Sequence, residues 1–250
     1  MKNFLPAIIF SASFLFFSCS DDSGSTGPDD NVSFGDLTLN LQNMIPDVGE
    51  KLFLRVISDS NVLQLQATID VIESPNQIVS IPDALDLNSD HLDLYADYNQ
   101  NGVYDAPPAD HAWRVNIPSN GIVSFSHSTN FTDISIPQYS STGGPMILNF
   151  LNFTNYIGDL MEIRVIERES KRVVGFYRFN GIPNAVFTAY LPRIIENDRP
   201  YQIDFYVDRN QTRSYDPPPE DHAWRIDANG TGSGLTINFS HNLDFTDIDF

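Results

Sequence analysis

The residues best able to do chemistry stand in one polar loop that occurs twice. Its first copy runs Asp97-Tyr-Asn-Gln-Asn-Gly-Val-Tyr-Asp105 and continues Ala-Pro-Pro-Ala-Asp-His-Ala-Trp-Arg114. The second runs Asp208-Arg-Asn-Gln-Thr-Arg-Ser-Tyr-Asp216 and continues Pro-Pro-Pro-Glu-Asp-His-Ala-Trp-Arg225, so Asp97 recurs as Asp208, 111 residues on. In the first copy Asp97, Asn99, Asn101 and Asp105 place side-chain oxygens around a tight turn. Gly102 permits the bend, and the Val103 carbonyl and the Asp110 carboxylate can complete the shell. Hard oxygen ligands in a flexible loop suit calcium. The second copy keeps Asp208, Asn210, Asp216 and Asp221, with Thr212 in place of an Asn. Arg213 replaces the Gly and Arg209 adds a second positive charge, so this set is the poorer one for a cation. The plainer reading of both loops is an Asx-rich turn that needs no ion.

Four histidines accompany the loops. His111 and His127 have counterparts in His222 and His241. With Asp110 and Asp221 beside them, a histidine–carboxylate site for zinc or copper is conceivable. Strand packing offers a simpler role. If the last two strands of each repeat form a hairpin, Trp113 lies opposite His127 and Val115 opposite Phe125. The same register sets Trp224 against His241 and Ile226 against Phe239, so each His packs on its Trp as a cross-strand pair. Tyr95 and Tyr206, two residues before each loop, are expected to tie it down through the hydroxyl. The Pro107-Pro108 and Pro217–Pro219 runs should stiffen the chain just beyond each set of loop oxygens. There is no Gly-x-Ser-x-Gly, no His-Glu-x-x-His and no phosphate-cradling glycine loop, and the chain is not expected to be an enzyme.

The first loop resembles the calcium loops of EF-hands and dockerins. In setting it is similar to the strand-borne Asp-Asn-Gly loops of B-type repeats in bacterial surface adhesins. It departs from the EF-hand pattern where Pro108 stands in place of the bidentate Glu.

The elements that must hold these loops read as strands. Leu39-Asn-Leu, Asn43, Gly49 and Arg55-Val-Ile57 recur as Leu148-Asn-Phe, Asn152, Gly158 and Arg164-Val-Ile166, so nearly the whole of each half repeats. Apolar and polar residues alternate through both halves, and no segment carries a sustained 3.6-residue apolar period. About seven strands are expected per repeat, in the first at 36–43, 51–58, 62–72, 77–82, 91–97, 111–117 and 121–128. The predicted fold class is all-β: two tandem antiparallel β-sandwich domains, immunoglobulin-like or transthyretin-like, with a different antiparallel barrel as the alternative. The expected divisions are a leader at 1–19, a tether at 20–34, repeat 1 at 35–137, a linker at 138–145 and repeat 2 at 146–250.

Address and charge narrow the function. Lys2 precedes an apolar run from Phe4 to Phe17 that is too short to span a bilayer and has the form of a signal peptide. The sole cysteine, Cys19, ends that run, and the stretch resembles a bacterial lipobox with Cys19 as the lipidated residue. Ser20-Asp-Asp22 resembles the acidic export signal of Bacteroidetes-type surface lipoproteins. These resemblances imply a lipid-anchored outer-membrane protein, displayed at the cell surface. Over the chain 33 acidic residues face 14 basic ones, a formal charge of −19, which disfavours nucleic acid as a partner and favours cations. The expected function is a non-enzymatic cell-envelope lipoprotein, stabilised by calcium, that binds a protein or glycan or acts as a spacer. The alternatives are a glycan-binding accessory lipoprotein and a periplasmic metal carrier using the repeated histidines.

Overall fold

The structure is a computed structural model and describes residues 34–135 and 141–250. The expected leader with Cys19, residues 20–33 of the tether and residues 138–140 of the linker lie outside the described residues. The described chain is all-β, with seven strands in each repeat. The first seven are β1 (Gly35–Gln42), β2 (Leu52–Ser58), β3 (Leu63–Ile69), β4 (Gln77–Leu85), β5 (Ser89–Ala96), β6 (His111–Asn116) and β7 (Ile122–Ser126). Their counterparts are β8 (Gly144–Leu151), β9 (Leu160–Glu167), β10 (Val173–Phe179), β11 (Phe187–Ile195), β12 (Pro200–Asp208), β13 (His222–Asn229) and β14 (Leu235–Ser240).

Each repeat is a two-layer sandwich. One layer is three-stranded, ordered β4-β1-β7 in the first repeat and β11-β8-β14 in the second. In both, the first and last strands run parallel. The other layer of repeat 1 is β3-β2-β5-β6, and that of repeat 2 is β10-β9-β12-β13. In the immunoglobulin arrangement the second strand pairs with the first and fifth. Here the second pairs with the third and fifth, which leaves the transthyretin-like of the two expected sandwiches.

The two four-stranded layers are not separate. β3 and β10, the same strand of each repeat, pair in parallel, with Ala67 opposite Phe176 and Thr68 opposite Tyr177. One eight-stranded sheet therefore runs through both repeats. Neighbouring residues of a strand point to opposite faces. Phe176 belongs to the core of repeat 1 and Tyr177 to the core of repeat 2, so the sheet carries one core on each face. Further bonds close the seam: the Asn180 N–H donates to Asp70 (2.9 Å), and Arg213 pairs with Glu73 (2.7 Å).

The expected hairpin between the last two strands of each repeat does not form. β6 pairs with β5, whereas β7 crosses to the other layer and pairs with β1. The same holds for β13 and β14. The Trp–His contacts survive by another route. Trp113 meets His127 at 5.4 Å between ring centroids and Trp224 meets His241 at 5.8 Å, across the two layers rather than along one.

Candidate metal-binding loops and histidine clusters

The first loop leaves the end of β5 and folds back on itself. Asp97 accepts from the backbone N–H groups of Asn101 (3.1 Å) and Gly102 (2.9 Å) through its two oxygens. Asp105 accepts from the side-chain amides of Asn99 (2.8 Å) and Asn101 (2.6 Å). Asp110 is fully buried and accepts from the Asp105 N–H at 2.7 Å. Burial pushes the Asp110 pKa up, and the charges of Asp97 and Asp105 add to the rise. Asn99 and Asn101 hold Asp105 below the usual carboxylate range. The oxygens named from the sequence thus surround one turn, with hydrogen bonds closing it. Val103 lies at the exposed tip, its N–H donating to the Asn101 side chain (2.9 Å).

The second loop repeats this frame. Asp208 accepts from the Thr212 and Arg213 N–H groups, and Asp216 accepts from Asn210 (2.9 Å) and Thr212 (3.1 Å). Asp221 is buried and accepts from the Arg209 and Asp216 N–H groups. Gly102 sits at φ +78°, a region that favours Gly, and Arg213 is held at φ +66° in its place. The two arginines do not point at the loop carboxylates: Arg213 reaches Glu73, and Arg209 pairs with Asp159.

A tyrosine inside each loop pins it, and in the second loop it is not the one expected. Tyr206 donates to Glu162 on β9 instead of tying the loop. The tie comes from Tyr104, inside the loop, which donates to Asp133 (2.8 Å) and accepts from the Ile134 N–H (3.0 Å). Tyr215 does the same to Asp247 (2.9 Å) and the Ile248 N–H (3.0 Å). Burial and the nearby aspartate push both hydroxyls up to about 12. The signal for this role was the shared Phe-Thr-Asp-Ile segment at 131–134 and 245–248.

The histidines take a carboxylate that sequence spacing does not reveal. Asp110 and Asp221 turn into the loops, so they are not the partners of His111 and His222. In repeat 1 the partner is Asp47, the last residue of a single 3₁₀ turn at Ile45–Asp47 between β1 and β2. The Asp47 side chain is fully buried; Oδ1 lies 2.5 Å from His111 Nδ1, and Oδ2 lies 3.5 Å from His127 Nε2. In repeat 2 the equivalent residue is Tyr156. Its hydroxyl lies 2.7 Å from both His222 Nδ1 and His241 Nε2. Burial, Arg209 and His241 lower the His222 pKa, and burial lowers that of His241.

A third repeated feature was not singled out from the sequence. Arg114 clamps buried Asp93 through two bonds (2.6 and 2.8 Å), and Arg225 clamps Asp204 in the same way (2.8 and 2.8 Å). These pairs lie across β5–β6 and β12–β13 and fix the strands from which the loops spring.

No protein-family model and no curated protein matches the chain. Among solved structures it is similar to a provisionally described cell adhesion protein from Bacteroides eggerthii, with 9% identity over 84% of this chain and 88% of that one and a TM-score of 0.25. Another so described, from Parabacteroides distasonis, shows 9% identity over 88% and 91%, with a TM-score of 0.20. The TIE protein of Bacillus anthracis shows 13% identity over 83% of this chain and 34% of that one, with a TM-score of 0.22. At such scores the likenesses carry no argument about function.

Proposed function

We propose that the chain is a non-enzymatic cell-envelope lipoprotein whose paired β-sandwiches form a calcium-stabilised binding or spacer module. The observation that supports the calcium reading is the run of oxygen donors Asp97, Asn99, Asn101 and Asp105 along one hydrogen-bonded turn, with buried Asp110 bonded to it. Burial raises the Asp110 pKa, the charges of Asp97 and Asp105 add to the rise, and a divalent cation would favour the charged form. The Asn99 and Asn101 side-chain oxygens, which accept from the Asn101 and Val103 N–H groups, would turn to the ion. The second loop is the weaker site, because Arg213 strains the turn where the first has Gly102.

Calcium bound at ~10⁻⁴ to 10⁻³ M would stabilise the fold by about 2.7 kcal/mol at 100 times the dissociation constant. The melting temperature of the purified chain should therefore rise with calcium and fall with a chelator. Asp97→Ala with Asp105→Ala should remove most of that response, and Asp208→Ala with Asp216→Ala should remove less. Identical melting curves with calcium and with chelator would sink the calcium reading. The anchor has its own test. Cys19→Ser should move the chain from the membrane fraction to the soluble one, and continued membrane association would count against lipidation.

The glycan-binding alternative would be supported by a flat row of exposed aromatic rings. Among the described residues the exposed aromatics are Tyr98 and Tyr190, one on each repeat. The binding-or-spacer reading therefore has the better support, with the continuous sheet as the element that sets the spacing of the two repeats.

A further inference from the structure

We propose that Asp47, His111 and His127 form a zinc site in the first repeat, separate from the calcium loop. The three side chains come from the turn after β1, the start of β6 and the residue just past β7. They offer one carboxylate oxygen and two imidazole nitrogens, all within 4.8 Å of one another. That donor set, with a fourth position left to water, is one that zinc takes readily.

Two atoms of the cluster lack partners. Asp47 Oδ2 and His127 Nε2 are buried and make no hydrogen bond. They face each other at 3.5 Å. A tetrahedral zinc ion with bonds near 2.1 Å holds its ligand atoms roughly 3.4 Å apart, so an ion between them satisfies both. His111 is held ready to join. Its ring is stacked between Tyr98 (4.2 Å) and Phe131 (4.5 Å), which fixes the plane and keeps Nδ1 on the Asp47 side. Leaving a buried carboxylate oxygen unpartnered is costly, and a cation offsets that cost.

The second repeat serves as an internal comparison. The same two histidine positions are kept, but Tyr156 replaces the carboxylate and bonds to both rings. Arg209 replaces Tyr98, and its guanidinium lies 5.1 Å from the Tyr156 ring. One anion has been lost and one cation gained, so repeat 2 has satisfied its histidines without a metal. The chain should hold one zinc ion, not two.

The test is zinc titration of the purified, untagged chain in saturating calcium, which occupies the oxygen loops. Wild type should bind one equivalent. Asp47→Asn and His127→Gln should each weaken zinc by more than the ~10–100-fold that losing a mere supporting hydrogen bond costs. His241→Gln should leave it unchanged. Cobalt in place of zinc should give a visible absorption band that Asp47→Asn abolishes, and circular dichroism reports whether each variant keeps its strands. If Asp47→Asn does not fold, His127→Gln and the wild-type cobalt band decide the matter. Absence of a stoichiometric zinc equivalent in wild type overturns the proposal. So does zinc affinity unchanged in folded Asp47→Asn or His127→Gln, or lost equally in His241→Gln. The three residues would then be a histidine–aspartate hydrogen-bond cluster.

Discussion

Between the repeats, one substitution changes what a buried pair of histidines can do. Around Asp47 the pair faces an anion. Around Tyr156 it faces a hydroxyl that can donate to one ring and accept from the other. The ring that accepts from the hydroxyl is unprotonated at that nitrogen, and burial lowers the folded-state pKa values of both rings below the ordinary 6.5. As pH falls below 6.5 the unfolded chain takes up protons first. The contribution of these histidines to stability is thus complete above that pH and is lost as pH falls through the folded values. The urea midpoint should drop between pH 7.5 and pH 5.5, and His241→Gln, which cannot titrate, should show a smaller drop. An equal drop in both proteins would mean that His241 does not stay neutral in the fold. Repetition itself hid Asp47: a comparison of the two copies finds what they share, and Asp47 and Tyr156 differ.

At the scale of elements, the strands were legible because alternation is a direct imprint of a half-buried surface. The expected boundaries for repeat 1 agree closely with β1–β7, apart from β3, which ends at Ile69, and β4, which runs on to Leu85. Pairing was less legible. The Trp–His pairing was read on the condition that β6 and β7 form a hairpin, but the chain crosses between layers there and Trp113 packs between the sheets. The seam was hidden for a different reason. In β3, Gln64, Gln66 and Thr68 alternate with Leu65, Ala67 and Ile69 and read as a solvent face. They are buried, with repeat 2 covering them. Polar side chains in a seam look like polar side chains in water until the partner is known. The signal lay in β10 instead. Its Val-Val-Gly-Phe-Tyr-Arg-Phe run does not alternate, as expected of a strand covered on both faces. The hydrogen-bonded loop was legible as a turn because Asp and Asn side chains at this spacing accept from nearby backbone N–H groups. The loop ties were not, since Tyr104 acts on a segment distant in sequence.

At the scale of the whole molecule, the β3–β10 pairing ties the fate of each repeat to the other. Separating them would uncover two edge strands and the buried polar face of β3. Phe176 makes the dependence testable, because it lies in the sequence of repeat 2 and in the core of repeat 1. Truncating a buried Phe typically costs about 3–5 kcal/mol. Phe176→Ala should therefore destabilise repeat 1 as much as repeat 2. The two tryptophans report the outcome separately, since Trp113 is buried in one core and Trp224 in the other. With Trp224→Phe the fluorescence follows repeat 1, and with Trp113→Phe it follows repeat 2. Any loss from these replacements is read in the parent proteins first. Adding Phe176→Ala should lower the urea midpoint by a similar amount in both reporters. A shift confined to either tryptophan's signal would mean that the sheet does not couple the repeats and that each sandwich unfolds alone.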